Sequence, residues 1–91
     1  MSEPIHARIP KLIRNCRLNQ TSTDAVLLMP EGALKIKGSG KDVIELCNGT
    51  LSVQEILAQL KKRYPQVKAT QIEIEAIEFL KLLREKRAVD F

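Results

Sequence analysis

The apolar residues of this chain follow two different periods, and the period changes near Gly38. Before Gly38 the apolar residues form short runs or alternate with polar ones, which is typical of β-strands. After Gly38 they recur every three or four positions, which is typical of amphipathic helices. The pattern predicts one α+β domain over residues 1–91, in which a three-stranded antiparallel sheet is followed by a three-helix bundle.

Two of the predicted strands precede the reverse turn at Pro30-Glu31-Gly32. Residues 13–20 are strand-compatible, with Cys16, Leu18 and Gln20 on one face. Thr21–Asp24 then has turn composition. Residues 25–29 are apolar throughout, and a run this short predicts a strand that is covered on both faces.

The third predicted strand, residues 33–37, alternates in polarity. Pro30-Glu31-Gly32 precedes it as a reverse turn, in which proline fixes φ and glycine is free to adopt a positive φ. Leu34 and Ile36 share one face of the strand, whereas Lys35 and Lys37 share the other. Lysines on the open side are typical of an edge strand, so we expect this strand to lie at a sheet edge.

Three helices are predicted, over about 39–47, 53–64 and 71–86. A serine or threonine followed three residues later by an acidic residue marks each start, in the pairs Ser39 and Asp42, Ser52 and Glu55, Thr70 and Glu73. Asn48-Gly49 ends the first helix and Pro65 the second. The third helix is apolar over so much of its surface that it needs more than one neighbour.

The two ends of the chain have weaker patterns. Residues 1–10 contain two prolines and no clear period, which predicts a loose arm. Ala88–Phe91 fits either a last short strand or a segment that packs against the helices.

Composition favours binding over catalysis. The net charge is +4, and the basic residues of the first half can attract nucleic acid or an acidic peptide, or can be solvated surface charge. Few aromatic residues are present, which argues against a base-stacking site. No apolar run reaches the roughly 20 residues of a membrane span. The N-terminus lacks a signal core, and two cysteines suit reduced thiols, so we expect a cytoplasmic protein.

The residues that could carry chemistry are isolated from one another. His6 is the only histidine and lies in the predicted arm, and neither Cys16 nor Cys47 has a histidine or second cysteine nearby in sequence. The acidic residues of the third helix lack a histidine for a metal site. Gly38-Ser39-Gly40-Lys41 lacks the spacing of a phosphate-binding loop. We therefore expect no enzymatic activity, no cofactor and no metal.

The first two helices and the turn between them resemble a helix-turn-helix, and a winged-helix DNA-binding regulator is one alternative. The predicted second helix begins Val53-Gln54-Glu55. A recognition helix presents Arg, Lys, Asn or Gln near its N-terminus, and glutamate there repels phosphates. A purely structural subunit is the other competing class.

Several motifs in order resemble the PqqD family over about residues 10–91. They are Arg17-Leu18, the LLxPEG of residues 27–32, the LKI of residues 34–36, Leu46-Cys47-Asn48-Gly49, Ser52-Val53-x-Glu55-Ile56 and the segment from Ile74 to Leu83. The resemblance implies a winged-helix-like domain that acts as a peptide chaperone, a recognition element for ribosomally made and post-translationally modified peptides. Its relatives bind the precursor peptide PqqA and present it to the radical SAM enzyme PqqE in pyrroloquinoline quinone biosynthesis. Asn48 stands where the family usually has Asp, so a recognition element of another modified-peptide pathway is an alternative.

The residues and the resemblance together predict a peptide-binding groove. A precursor peptide is expected to add antiparallel to the third strand and to pack on the third helix; the expected contact residues are Ala33, Leu34, Lys35, Ile36, Lys37, Ile77, Leu80, Lys81 and Arg84. The glycine-rich joint Gly38-Ser39-Gly40 also allows the N-terminal strands to exchange between chains, which predicts a strand-swapped homodimer or, equally, a monomer with a flexible loop.

Overall fold

The computed structural model describes residues 5–20 and 25–91. A short 3₁₀ turn at Ile5–Ala7 precedes five strands and three helices. The strands are β1 (Lys11–Leu12), β2 (Arg17–Gln20), β3 (Ala25–Met29), β4 (Gly32–Ile36) and β5 (Val89–Asp90). The helices are α1 (Gly40–Leu46), α2 (Val53–Arg63) and α3 (Ala69–Glu85). The predicted α+β order, three antiparallel strands followed by three helices, is confirmed.

Strands β2, β3 and β4 form an antiparallel sheet in that spatial order. The predicted bounds of β3 are confirmed, whereas β4 begins one residue earlier and ends one residue earlier than expected. The expectation that β3 is covered on both faces is wrong, because Leu28 is 41% exposed while Leu27 is fully buried. The helices cover one face of the sheet and leave the other face open. The predicted turn at Thr21–Asp24 lies outside the described residues.

Only one of the three predicted helix caps forms. The Ser52 hydroxyl accepts a hydrogen bond from the Glu55 backbone N–H, and the Glu55 carboxylate accepts one from the Ser52 N–H, which completes a capping box. The cap predicted at Ser39 is wrong, because its side chain makes no capping hydrogen bond. The cap predicted at Thr70 is also wrong, because α3 already begins at Ala69.

The carboxylate that was expected to complete the first cap holds two helices together instead. Asp42 is largely buried, and it accepts hydrogen bonds from Arg63 Nη1 at 3.0 Å and from the Tyr64 hydroxyl. Both donors lie at the end of α2, so the first turn of α1 is attached to the last turn of α2. Long-range partners therefore decide the direction of this side chain.

One hydrophobic core joins the sheet to the helices. Its fully buried large side chains come from β3, all three helices and β5; they include Leu27, Val43, Ile56, Leu60, Leu80, Leu83 and Val89. Gly49 ends the turn after α1 with a φ of 80°, as the sequence predicted. Within the described residues, no helix is both long enough and apolar enough to span a bilayer.

The segment that was expected to be a loose arm is docked over residues 5–10. Pro10 is fully buried, and the Arg8 carbonyl accepts a hydrogen bond of 2.8 Å from the Val53 N–H at the start of α2. The chain then forms β1, which pairs antiparallel with β5. Sequence analysis left β5 open and did not predict β1. Two-residue strands carry too little alternation to be recognised without their partner.

Candidate functional site

Strand β4 lies at one edge of the three-stranded sheet, and no described strand pairs with its outer side. The turn between β3 and β4 has two residues, so the pair that closes it, Met29 and Gly32, exchanges backbone hydrogen bonds. Bonded and non-bonded pairs alternate along an antiparallel ladder. Ala33 and Lys35 therefore belong to the non-bonded pairs of the β3–β4 ladder, so their backbone N–H and C=O groups point outward, away from β3. This edge can accept a further strand.

The side chains of β4 alternate as the sequence predicted. Leu34 is half-buried and Ile36 is buried on the core side, whereas Ala33, Lys35 and Lys37 are exposed. The Lys35 side chain lies on the open face of the sheet and Lys37 directly follows the strand, so two positive charges border the free edge. The strand therefore offers backbone groups at its edge and positive charge beside it.

Helix α3 approaches β4 through Phe79. Gly40, the first residue of α1, lies between the two elements, and a Cβ atom built on it would be 2.7 Å from Ile36 Cγ2 and 3.3 Å from Phe79 Cζ. Residues four and seven positions apart share a helix face. Glu75, Phe79 and Leu82 therefore form one side of α3, here named the Phe79 flank. Leu82 on this flank is 37% exposed.

The other helix residues that were expected in the groove lie elsewhere. A second side of α3, here named the Ile77 flank, is about 120–160° around the helix from Phe79 at 100° per residue, and it carries Glu73, Ile77, Lys81 and Arg84. Glu73 contacts His6 and Lys61, so this flank adjoins the N-terminal segment and α2. Leu80 is fully buried in the core and has no surface to offer a ligand. These four residues lie on other sides of α3 than Phe79, which is the α3 residue beside Gly40 and Ile36.

A hollow of about 440 Å³ lies beyond the C-terminal end of β4. It is bounded by the start of α1, the loop after α2 and the first turns of α3; its lining residues are Gly38, Ser39, Lys41, Tyr64, Val67, Gln71, Ile72 and Glu75. Glu75 belongs to the Phe79 flank, so the hollow is continuous with that side of α3. A strand that pairs with β4 would reach the hollow at the end nearest Ile36.

The candidate catalytic residues have structural surroundings. Sequence analysis found no partner for His6, but its Nε2 lies 2.9 Å from Glu73 Oε1, which fixes the N-terminal segment against α3. Cys16 and Cys47 are buried free thiols, and burial raises the pKa of Cys47 to about 12. A thiol with a raised pKa is a poor nucleophile at neutral pH. The described residues contain no group of three or more His, Cys, Asp or Glu side chains that could hold a metal ion.

Sequence reasoning missed Gly40 and Phe79 as neighbours of β4. Gly40 is interpreted from the sequence only as part of the joint Gly38-Ser39-Gly40, and Phe79 is not singled out. The glycine itself was the clue. Gly40 is the first residue of α1 and no turn requires a glycine there, which indicates that neighbouring atoms leave no room for a side chain.

The sheet with its open edge, backed by three helices, defines a winged-helix-like α+β domain that can accept an added strand. The family model described as "Coenzyme PQQ synthesis protein D (PqqD)" matches residues 24–89. The chain belongs to the PqqD family.

Relatives that cover most of the chain agree with this assignment. A protein of Azotobacter vinelandii named "PqqA binding protein" is 33% identical over 92 aligned positions, covering 99% of this chain and 98% of its own length. A protein of Pseudomonas aeruginosa with the same name is 36% identical, covering 74% of this chain and 75% of its own.

A solved structure has the same fold. It is the solution NMR structure of the PqqD truncation of Methylobacterium extorquens PqqCD, which is described as a functional and stand-alone recognition element for ribosomally synthesised and post-translationally modified peptides. It superposes with a TM-score of 0.79 and 26% identity, and the match covers 94% of this chain and 93% of that one.

Proposed function

We propose that this chain is a non-catalytic peptide chaperone of pyrroloquinoline quinone biosynthesis. It binds a PqqA-like precursor peptide and presents it to a PqqE-like radical SAM enzyme. The observation that carries the proposal is the free edge of β4, where the N–H and C=O groups of Ala33 and Lys35 point away from the sheet. The names of the relatives, which are PqqA-binding proteins, indicate the kind of peptide.

Main-chain pairing supplies the register of the bound peptide. A peptide that adds antiparallel to β4 exchanges hydrogen bonds with Ala33 and Lys35, and each net bond contributes about 1 kcal/mol. Lys35 and Lys37 favour an acidic peptide, mainly by accelerating its association and orienting it. Leu34 and Ile36 hold the strand on the core.

Side-chain contacts supply selectivity in this proposal. Alternate side chains of the added strand face α3, where the Phe79 flank offers an aromatic ring and the partly exposed Leu82. An antiparallel peptide has its N-terminal end beside Ile36, and the residues that precede the paired segment extend into the hollow beyond β4. The Ile77 flank lies on the other side of α3 and stays outside the site, so Lys81 and Arg84 serve as control positions.

Three further features support a binding role in the cytoplasm. The two thiols are buried and free, which suits a reducing compartment. The pKa of each thiol is raised by burial, which disfavours nucleophilic chemistry at neutral pH. The N-terminus of α2 carries Glu55, whose carboxylate closes the capping box where a DNA-reading helix would present donors. Nucleic acid is therefore not the partner we propose.

An NMR titration of the labelled protein with the precursor peptide encoded beside its gene tests the proposal. We expect amide shifts to cluster on residues 33–37, on the Phe79 flank and around the hollow, with small changes at Lys81 and Arg84. Raising the salt concentration is expected to weaken binding only modestly, because main-chain pairing is not screened. Shifts confined to residues 48–55 would indicate a helix-turn-helix contact and would refute the proposal.

We also propose that β2, β3 and β4 exchange between two chains through the joint Gly38-Ser39-Gly40. Gly38 adopts a φ of 59°, and Gly40 donates a backbone hydrogen bond of 3.2 Å to Lys37, so the joint is a tight turn that would have to open. Light scattering across a wide concentration range tests this idea. A strict monomer at millimolar concentration would rule it out.

A further inference from the structure

The open face of the three-stranded sheet carries one large apolar side chain that its neighbours leave uncovered. Leu28 of β3 is 41% exposed, and its partner on β4 is Ala33. Directly opposite residues of an antiparallel pair have Cβ atoms about 4.5–5.5 Å apart, so the two side chains lie next to each other. Because alanine offers only a methyl group, Leu28 remains open on the side of the free edge.

The next β4 residue on the same face is Lys35, two positions along the strand. Lys35 is paired with Val26 of β3 and is exposed. Its ammonium group forms no ion pair with any carboxylate in residues 5–20 and 25–91. The nearest acidic residue in sequence, Glu31, lies in the turn before the opposite end of β4. Lys35 therefore has a positive charge at the free edge and no described partner for it.

The β3–β4 ladder determines how the side chains of an added strand would be arranged. Ala33 and Lys35 have the outward backbone groups, so they are the residues that exchange hydrogen bonds with a strand added to this edge. Directly opposite residues place their side chains on the same face of a sheet. The added residues opposite Lys35 and Ala33 therefore lie on the open face, and the residue between them faces α3.

The direction of the peptide then sets the order of these two residues. In a peptide antiparallel to β4, the residue opposite Lys35 comes first, and the residue opposite Ala33 comes two positions later. They are here named the acidic position and the apolar position of the peptide, for the side chains that the strand would select there.

We infer that the bound peptide carries an acidic residue opposite Lys35 and a large apolar residue two positions later, opposite Ala33, an inference that rests on the proposed function. An opposite-charge pair across two strands stabilises their pairing, and a like-charge pair destabilises it. The apolar position is two strand spacings, about 10 Å, from the backbone of β3. A Leu, Met or Phe side chain there leans over the Ala33 methyl group and covers Leu28, which removes apolar surface from water.

Lys37 provides a matched control for the charge. It is exposed like Lys35, but it follows the last residue of β4 and has no partner in the β3–β4 ladder. Lys37 therefore attracts an acidic peptide as a whole, whereas Lys35 selects a carboxylate at one position.

A charge exchange tests the acidic position. Calorimetric titration compares the precursor peptide encoded beside the gene with a variant in which lysine replaces the acidic residue that stands two positions before a large apolar one. We expect Lys35→Glu to weaken binding of the natural peptide by about fivefold or more, and to bind the lysine peptide more tightly than the natural one. With Lys37→Glu the natural peptide should remain the tighter ligand. The same change of preference in both variants would indicate long-range attraction only and would overturn the inference.

A second pair of variants tests the apolar position. Leu28→Ala should weaken binding of the natural peptide by several-fold, and it should have little effect once the apolar residue of the peptide is replaced by alanine. Ile74→Ala is the matched control, because Ile74 is 58% exposed on α3 and lies about 140° around the helix from Phe79. It should change peptide affinity by no more than about twofold. If Leu28→Ala weakens both peptides equally, the apolar residue does not cover Leu28 and the inference is overturned.

The remaining outcomes separate this inference from the proposed function. If the precursor peptide does not bind the parent protein, the proposed function fails and the inference fails with it. If the peptide binds with amide shifts on residues 33–37 but has no carboxylate two positions before a large apolar residue, only the inference is overturned. If the carboxylate that pairs with Lys35 instead follows the apolar residue, the peptide is parallel to β4 and the inference is likewise overturned.

Discussion

Arg63 Nη1 donates a hydrogen bond of 3.0 Å to Asp42 Oδ1, which fastens the last turn of α2 to the first turn of α1. The Tyr64 hydroxyl donates to the other oxygen of the same carboxylate. The two helices that follow the sheet are thus held by one largely buried carboxylate.

This contact predicts a loss of stability at high pH. The hydrogen bond to Asp42, followed by burial, raises the pKa of Tyr64 above its usual range in the folded protein. A group whose folded pKa is raised stabilises the fold fully below its unfolded pKa, about 10 for tyrosine, and that contribution is lost as the pH rises through the folded pKa. We expect the free energy of unfolding to fall above about pH 10, more steeply than in Tyr64→Phe. Urea denaturation of both proteins across this range checks the prediction, and parallel curves would contradict it.

The free edge of β4 predicts that the backbone of Lys35 matters more than its side chain. Lys35→Pro removes an N–H that faces the added strand, so peptide affinity should fall by about tenfold or more. Lys35→Ala keeps the N–H and removes only the charge, so its loss should be several-fold at most and should shrink with salt. Calorimetric titration measures both, and circular dichroism confirms that each variant is folded. Equal losses in the two variants would mean that the peptide does not pair with this edge.

The two sides of α3 predict unequal effects of substitutions at the neighbouring residues Lys81 and Leu82. Leu82→Ala removes apolar surface from the Phe79 flank and should weaken peptide binding by several-fold, since a buried methylene contributes about 0.8 kcal/mol. Lys81→Glu alters the Ile77 flank and should leave binding nearly unchanged. The same titration measures both variants. A strong effect of Lys81→Glu together with none of Leu82→Ala would place the peptide on the opposite side of the helix.

The helix caps predict that alanine substitutions at the three predicted cap residues lower the free energy of unfolding by unequal amounts. Ser52→Ala removes the hydroxyl of a complete capping box and should lower the free energy of unfolding by about 1 kcal/mol. Ser39→Ala and Thr70→Ala should cost less than about 0.5 kcal/mol, because neither side chain caps a helix. Chemical denaturation distinguishes the three variants. Similar losses at all three positions would mean that the two missing caps form in solution.

The close packing at Gly40 predicts that the stability effects of substitutions at Gly40 and Ile36 are coupled. Gly40→Ala places a methyl group 2.7 Å from Ile36 Cγ2, which should cost about 1–3 kcal/mol of stability through overpacking. An Ile36→Ala background removes the 2.7 Å contact and leaves Phe79 Cζ, at 3.3 Å, as the nearest atom, so the same substitution should cost much less. A double-mutant cycle from urea denaturation measures this coupling. If the destabilising effects of Gly40→Ala and Ile36→Ala are additive, the Ile36 side chain is not what excludes a methyl group at Gly40.

Local patterns were sufficient for the elements themselves. Each of these patterns involves only residues that are close in sequence. Examples are the five apolar residues of β3, the alternation from Leu34 to Lys37 and the helical period of α2. The Ser52 capping box and the positive φ of Gly49 are equally local. The ordered motifs also carried the resemblance to the PqqD family, which the family model then confirmed.

The tertiary structure decided which side of each element faces which neighbour. Asp42 and Glu73 have the spacing of cap residues, but Arg63 and His6, distant in sequence, give these carboxylates other partners. The sequence by itself determined that β4 is an edge strand and that α3 is broadly apolar. Only the packed structure decided that Phe79 rather than Ile77 approaches β4, because the rotation of a helix about its axis depends on the whole core around it.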